Sequence, residues 1–128
     1  MADSTFPKRE RMASRRLTDR LFGGGQSRSL AVFPVRAVYL MEERHEGDAP
    51  VQVLVSVSKK HFHHAVDRNR VKRQLREAYR KNKHILHDAV PDGQQMLLAF
   101  IWLADSQMPT RDVEQRVVSI LHRLAERV

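Results

Sequence analysis

At 128 residues the chain has room for one domain core and not two, and its 41% apolar content suffices for that core while 6% aromatic content excludes one built on large rings. Lys and Arg number 23 against 15 Asp and Glu, a net charge of +8 at pH 7 that points to a polyanionic partner. No cysteine is present, which excludes disulfide frameworks, thiol nucleophiles and thiolate metal sites.

Residues 1–12 are polar, basic and aperiodic and predict a flexible arm, with Phe6 suited to packing; residues 13–128 are expected to form a single domain. The opening residues lack the apolar region of a secretory leader, and no apolar run approaches the roughly 20 residues of a membrane span, so a cytoplasmic protein without membrane association is expected. Ser14 is an N-cap candidate for a short helix over 14–22, with Leu17, Leu21 and Phe22 as its apolar stripe and Gly23-Gly24-Gly25 as its stop. The β-branched and aromatic run 31–41 predicts a strand starting near Pro34 or Val35, with Pro34 confining it to an edge or a bulge. An acidic loop, 42–50, leads to a strand over 51–58 in which Val51, Val53, Val55 and Val57 share the core face. Gln52, Leu54, Ser56 and Ser58 form a half-polar second face that can floor a groove.

From Ala65 to about Lys83 the period becomes helical. Val71, Leu75, Ala78, Tyr79 and Asn82 line one side, continued by Ile85 and Leu86, while Asn69, Lys72 or Arg73, Arg76, Arg80 and Lys83 recur on the other. The apolar run 96–103 predicts a central strand with Trp102 in the core. Pro109-Thr110 opens a final helix that buries Val113, Val117, Ile120, Leu121, Leu124 and Val128.

Charge is segregated along this frame. Residues 59–83 carry ten basic and two acidic side chains, and residues 1–36 carry eight and three. Lys59 and Lys60 sit at a strand exit, and Arg68, Asn69, Arg70, Lys72, Arg73, Arg76 and Arg80 follow on the helix and its approach. Arginine forks pair with phosphate and lysine adds point charge, so the pattern predicts a helix laid on the backbone of a folded nucleic acid, with steeply salt-dependent affinity. A duplex-DNA recognition helix would call for a second helix ahead of this one, where a strand stands, and a membrane face would call for large apolar anchors.

The run Ala65-Val-x-Arg68-Asn69-Arg70-x-Lys72-Arg73-x-x-Arg76-Glu77, preceded by Val57-Ser58-x-Lys60, resembles the bacterial ribonuclease P protein family. The order of the remaining segments over residues 6–125 agrees with that family. The resemblance implies an α+β fold, a two-layer α/β sandwich of about four strands and three helices. It also implies a left-handed β-α-β crossover like that of the fourth domain of elongation factor G. It further implies a binding subunit with no catalytic residue of its own, in which a ribonuclease P RNA using Mg2+ cleaves the 5′ leader from precursor tRNA. Lys59, Lys60, Arg68, Asn69, Arg70, Lys72, Arg73, Arg76 and Arg80 would then contact the catalytic RNA. Leu17, Leu21, Phe22, Phe33, Arg36 and Tyr39 would line the leader groove. The implied partners are ribonuclease P RNA and precursor tRNA, with no DNA and no obligate protein partner. Family members commonly carry aromatics on the first helix to stack leader bases; here Leu17 and Leu21 stand at the matching positions, leaving Phe22, Phe33 or Tyr39 for that task.

Competing chemistries are a stand-alone metal-dependent nuclease and a general RNA chaperone. His61, His63 and His64, and His84 with His87, together with Asp67 as an oxygen ligand, invite a metal or general-base reading, but no third anchored ligand accompanies them and the surrounding cations oppose a dication; solvated or RNA-contacting imidazoles are expected instead. Glu42, Glu43, Glu46 and Asp48 are adjacent in a predicted loop, without a second carboxylate cluster on a rigid strand, and read as solvated.

Overall fold

The computed structural model describes residues 6, 8–11 and 15–128, with the backbone alone at Arg16 and Leu17. Its elements are α1 (Arg15–Gly23), β1 (Arg28–Val32), β2 (Val35–Glu43), β3 (Val51–Ser56), α2 (Ala65–Asn82), α3 (His84–His87), β4 (Gln94–Trp102) and α4 (Thr110–Arg127). The four strands form one sheet in the order β1-β2-β4-β3. β1 and β2 make an antiparallel hairpin, β2 pairs antiparallel with β4, and β3 pairs parallel with β4. A parallel pair of neighbours needs a long crossover, and α2 supplies it.

The strand expected from Pro34 or Val35 is β2, which starts at Val35, but it lies inside the sheet and not at an edge, and Ala31 and Val32 belong to a separate strand, β1. Phe33 and Pro34, joined by a cis peptide bond, form the turn between β1 and β2, where the missing N–H of proline costs no ladder bond. β2 also runs on through Glu42 and Glu43, so the acidic loop starts later than its composition suggests.

Alternation decides the layers. Val35, Ala37 and Tyr39 of β2, Val51, Val53 and Val55 of β3, and Met96, Leu98, Phe100 and Trp102 of β4 meet α2 and α4 in the main core. α2 contributes Val71, Leu75, Ala78 and Tyr79, and α4 contributes Val113, Val117, Ile120, Leu121 and Leu124, each set at helical spacing. The opposite sheet face carries Val38, Leu97 and Ala99, and Leu21 of α1 packs onto them. β4 is buried on both faces, which explains its unbroken apolar sequence. α2 ends at Asn82, whose side-chain amide bonds Ala78 O and Glu114 Oε2; Leu86 enters the core from the separate one-turn α3.

The arm expected to be flexible is in part docked. Lys8–Glu10 forms a turn of 3-10 helix, Arg11 makes a parallel bridge to Val53 on the outer edge of β3, and the Phe6 ring lies 5.6 Å from that of Tyr79. Glu10 is buried and receives two bonds from Lys83 Nζ, at 2.7 and 3.0 Å. Residues 1–5, 7 and 12–14, including the proposed N-cap Ser14, lie outside the described residues.

Candidate nucleic-acid interface

α2 buries one side against the sheet and α4, so its opposite side is fixed outward by the same packing. Asn69, Arg73 and Arg76 are exposed there, with Arg80 in line at the next turn and held by Glu77 at 3.0 Å and 2.5 Å. That pair lowers the Glu77 pKa and raises that of Arg80, each first through the hydrogen bond between them. Lys72 flanks the stripe half-buried, and Lys59 and Lys60 are exposed in the turn after β3.

Two of the expected contacts have structural duties. Arg68 is half-buried and its Nη1 donates to the carbonyls of Phe62 and His63 at 2.8 and 2.9 Å, bracing the loop that enters α2. Arg70 is exposed, yet its Nη1 bonds Gln107 Oε1 at 2.6 Å, and Gln107 Nε2 bonds Asp67 Oδ1 at 3.0 Å. His61 Nδ1 meets Asp105 Oδ1 at 2.6 Å, so three side-chain links tie the β3–α2 loop and the start of α2 to the β4–α4 loop. Lys83, at the C-cap of α2, leaves the stripe altogether and is buried against Glu10. Asp67 is engaged by Gln107 while His63 and His64 are exposed, and among the described residues no three His, Cys, Asp or Glu side chains gather as a metal site.

On the other side of the sheet, α1 covers only part of the surface. A groove of about 300 Å3 remains between its C-terminal end and the strands, lined by Leu21, Phe22, Arg28, Arg36, Val38 and Ile101 among others. Leu21 is buried at its base, Phe22 is 48% exposed, and Arg36 points outward from the same strand face as Val38. An ion pair between Arg20 and Glu42 ties α1 to β2 beside it. Phe33, 68% exposed at the hairpin turn, stands beyond the groove lining. Tyr39 does not share this face. Its odd position in β2 turns it to the helix side, where it is 4% exposed, its hydroxyl accepts from Arg127 Nη1 at 2.9 Å, and it lines a separate notch with Gln26, Arg28 and Arg127. The side chain of Leu17 lies outside the described residues.

The pattern of the Ribonuclease P family matches residues 6–125 of this chain. The ribonuclease P protein component of Porphyromonas gingivalis is 41% identical over 122 residues, spanning 94% of this chain and 87% of that protein. The chain belongs to the ribonuclease P protein family. A ribonuclease P protein component from Chlorobaculum tepidum is 50% identical over 60 residues, 43% of this chain and 39% of its own. The fold agrees with the RNase P proteins of Thermotoga maritima (TM-score 0.64, 22% identity, covering 89% and 96% of the two chains) and Staphylococcus aureus (0.63, 20%, 88% and 92%).

As a ribonuclease P protein component, the chain is part of an endoribonuclease holoenzyme that processes tRNA. Not legible in the sequence is the docking of Phe6 and of residues 8–11 on the ribonuclease P protein fold. The signal was present in Glu10, an acid amid the cations of the arm, and in Lys83, a cation at the foot of a helix, but 73 residues separate them.

Proposed function

We propose that this ribonuclease P protein binds the catalytic RNA through the outward side of α2 and the turn before it, and binds the 5′ leader of precursor tRNA in the groove beside α1. The single observation that carries the first part is the exposure of Asn69, Arg73 and Arg76 along the helix face opposite the core, with Lys59 and Lys60 exposed at its approach. Arg68 and Arg70 support that face from within, by fixing the loops around it. For the leader, Phe22 and Phe33 offer exposed rings and Arg36 a phosphate partner; stacking of a base on one ring contributes ~1–3 kcal/mol.

In this reading the RNA carries the chemistry with its own Mg2+, and the protein's residues bind and orient. Precursor tRNA and the ribonuclease P RNA are the partners, in the cytoplasm; among the described residues no helix is long and apolar enough to cross a membrane.

The test is cleavage of a precursor tRNA at low magnesium by the protein alone, by a bacterial ribonuclease P RNA alone, and by both together. We expect a cut at the mature 5′ end in the mixture only. Cleavage by the protein alone would overturn the reading, as would equal stimulation of unrelated RNAs.

A further inference from the structure

The N-terminal segment closes one side of a notch of about 450 Å3 whose walls are Phe6, Arg11, Val53, Leu54, Val55 and Arg76. Two arginines line it, and among the described residues no carboxylate does. Like charges placed in one notch repel unless an anion joins them. The acid next to Arg11 in sequence, Glu10, is committed to Lys83.

Arg11 is held for the purpose. Its backbone bridges Val53 on the free edge of β3, and its Nε and Nη2 both donate to the carbonyl of Phe6, at 3.2 and 3.0 Å. The guanidinium carbon lies 5.5 Å from the centre of the Phe6 ring. One edge of the fork is thus spent on the segment's own backbone, and the end-on edge, Nη1 with Nη2, stays available to an oxygen pair. Arg76 approaches from α2, on the stripe already assigned to RNA.

We infer that Arg11 and Arg76 clamp one backbone phosphate of the ribonuclease P RNA between them, and that the buried Glu10–Lys83 pair is the anchor that keeps Arg11 in position. The inference rests on the reading of α2 as the RNA-facing helix and adds to it a second wall, supplied by the N-terminal segment. Glu10 is a positioning residue: it faces Lys83 and acts on RNA only through Arg11.

The test is the affinity of the full-length protein for a bacterial ribonuclease P RNA over a salt series, for Arg11→Ala, Arg76→Ala, their double variant and Arg73→Ala. Each single substitution should weaken binding about tenfold and lower the salt slope by roughly one phosphate contact. The double variant should lose far less than the product of the two, since one phosphate is shared. Arg11→Lys should keep the slope and recover part of the affinity. Glu10→Gln removes a negative charge and would tighten RNA binding if charge alone counted; weaker binding by a protein that still melts cooperatively identifies the anchor. Wild-type affinity and slope in Arg11→Ala, beside a clear loss in Arg73→Ala, would overturn the clamp and leave α2 as the RNA-facing helix. No loss in Arg73→Ala or Arg76→Ala would overturn both.

Discussion

Arg68 and Arg73 stand five positions apart in one helix, and the structure gives them different tasks. Arg68 reaches back to two carbonyls of the preceding loop, at 2.8 and 2.9 Å, whereas Arg73 is exposed on the outward side. A charged donor removed from two carbonyls costs about 1.5–3 kcal/mol, so Arg68→Ala should lower the unfolding free energy by that order in urea titrations. Arg73→Ala should leave stability nearly unchanged and weaken RNA binding. Equal unfolding midpoints for the two variants would refute the bracing role. The Arg-Asn-Arg pattern was legible in the sequence as a cationic cluster, but the division of labour within it was not. That division depends on where the loop carbonyls of Phe62 and His63 come to lie, which no spacing encodes.

At the scale of elements, α3 and the N-terminal segment enclose a group that titrates far from its ordinary range. His87 lies beside Tyr79, whose hydroxyl meets its Nε2 at 2.6 Å. Burial first, and then the Lys83 ammonium, lower the His87 pKa from 6.5 to about 4. Burial, followed by the Glu10 charge, raises that of Tyr79, which therefore keeps its proton. In the unfolded chain the imidazole takes up its proton near its ordinary value, so between pH 6.5 and about 4 the unfolded state binds one proton more than the folded state. The stability tied to neutral His87 is present above that window and is lost as pH falls through it, on the order of 1 kcal/mol by about pH 5 once its partial exposure is allowed for. Urea titrations at about pH 7 and about pH 5 should show a smaller drop for His87→Gln than for the wild type. An equal drop would place the titration elsewhere. α2, α4 and β3 were legible because their burial is periodic and local, and β4 because an unbroken apolar run marks a strand buried on both faces. The face of β2 that meets the helices was harder to see: Val35, Ala37 and Tyr39 alternate regularly, yet Val38 and Leu40 on the other face are apolar too. The docked N-terminal segment was illegible because its partners, Val53, Tyr79 and Lys83, are all distant in sequence.

For the whole molecule, a net charge of +8 on 128 residues is concentrated on the helix that bridges β3 and β4 and on the segment before β1. Self-repulsion opposes the compact state, and an anion that binds only the folded form stabilises it by mass action. Thermal melts in increasing sulfate at constant ionic strength should therefore show a rising Tm, and a Tm independent of sulfate would count against anion capture by this surface. The order of the strands has a further effect. β4 lies between β2 and β3, although it follows both in the chain. A chain emerging from the ribosome presents three strands and the whole cationic helix before the strand that joins them exists. Until residue 102 has left the exit tunnel, the strand edges meant for β4 have no partner. The nascent chain therefore carries its cations before it carries a fold.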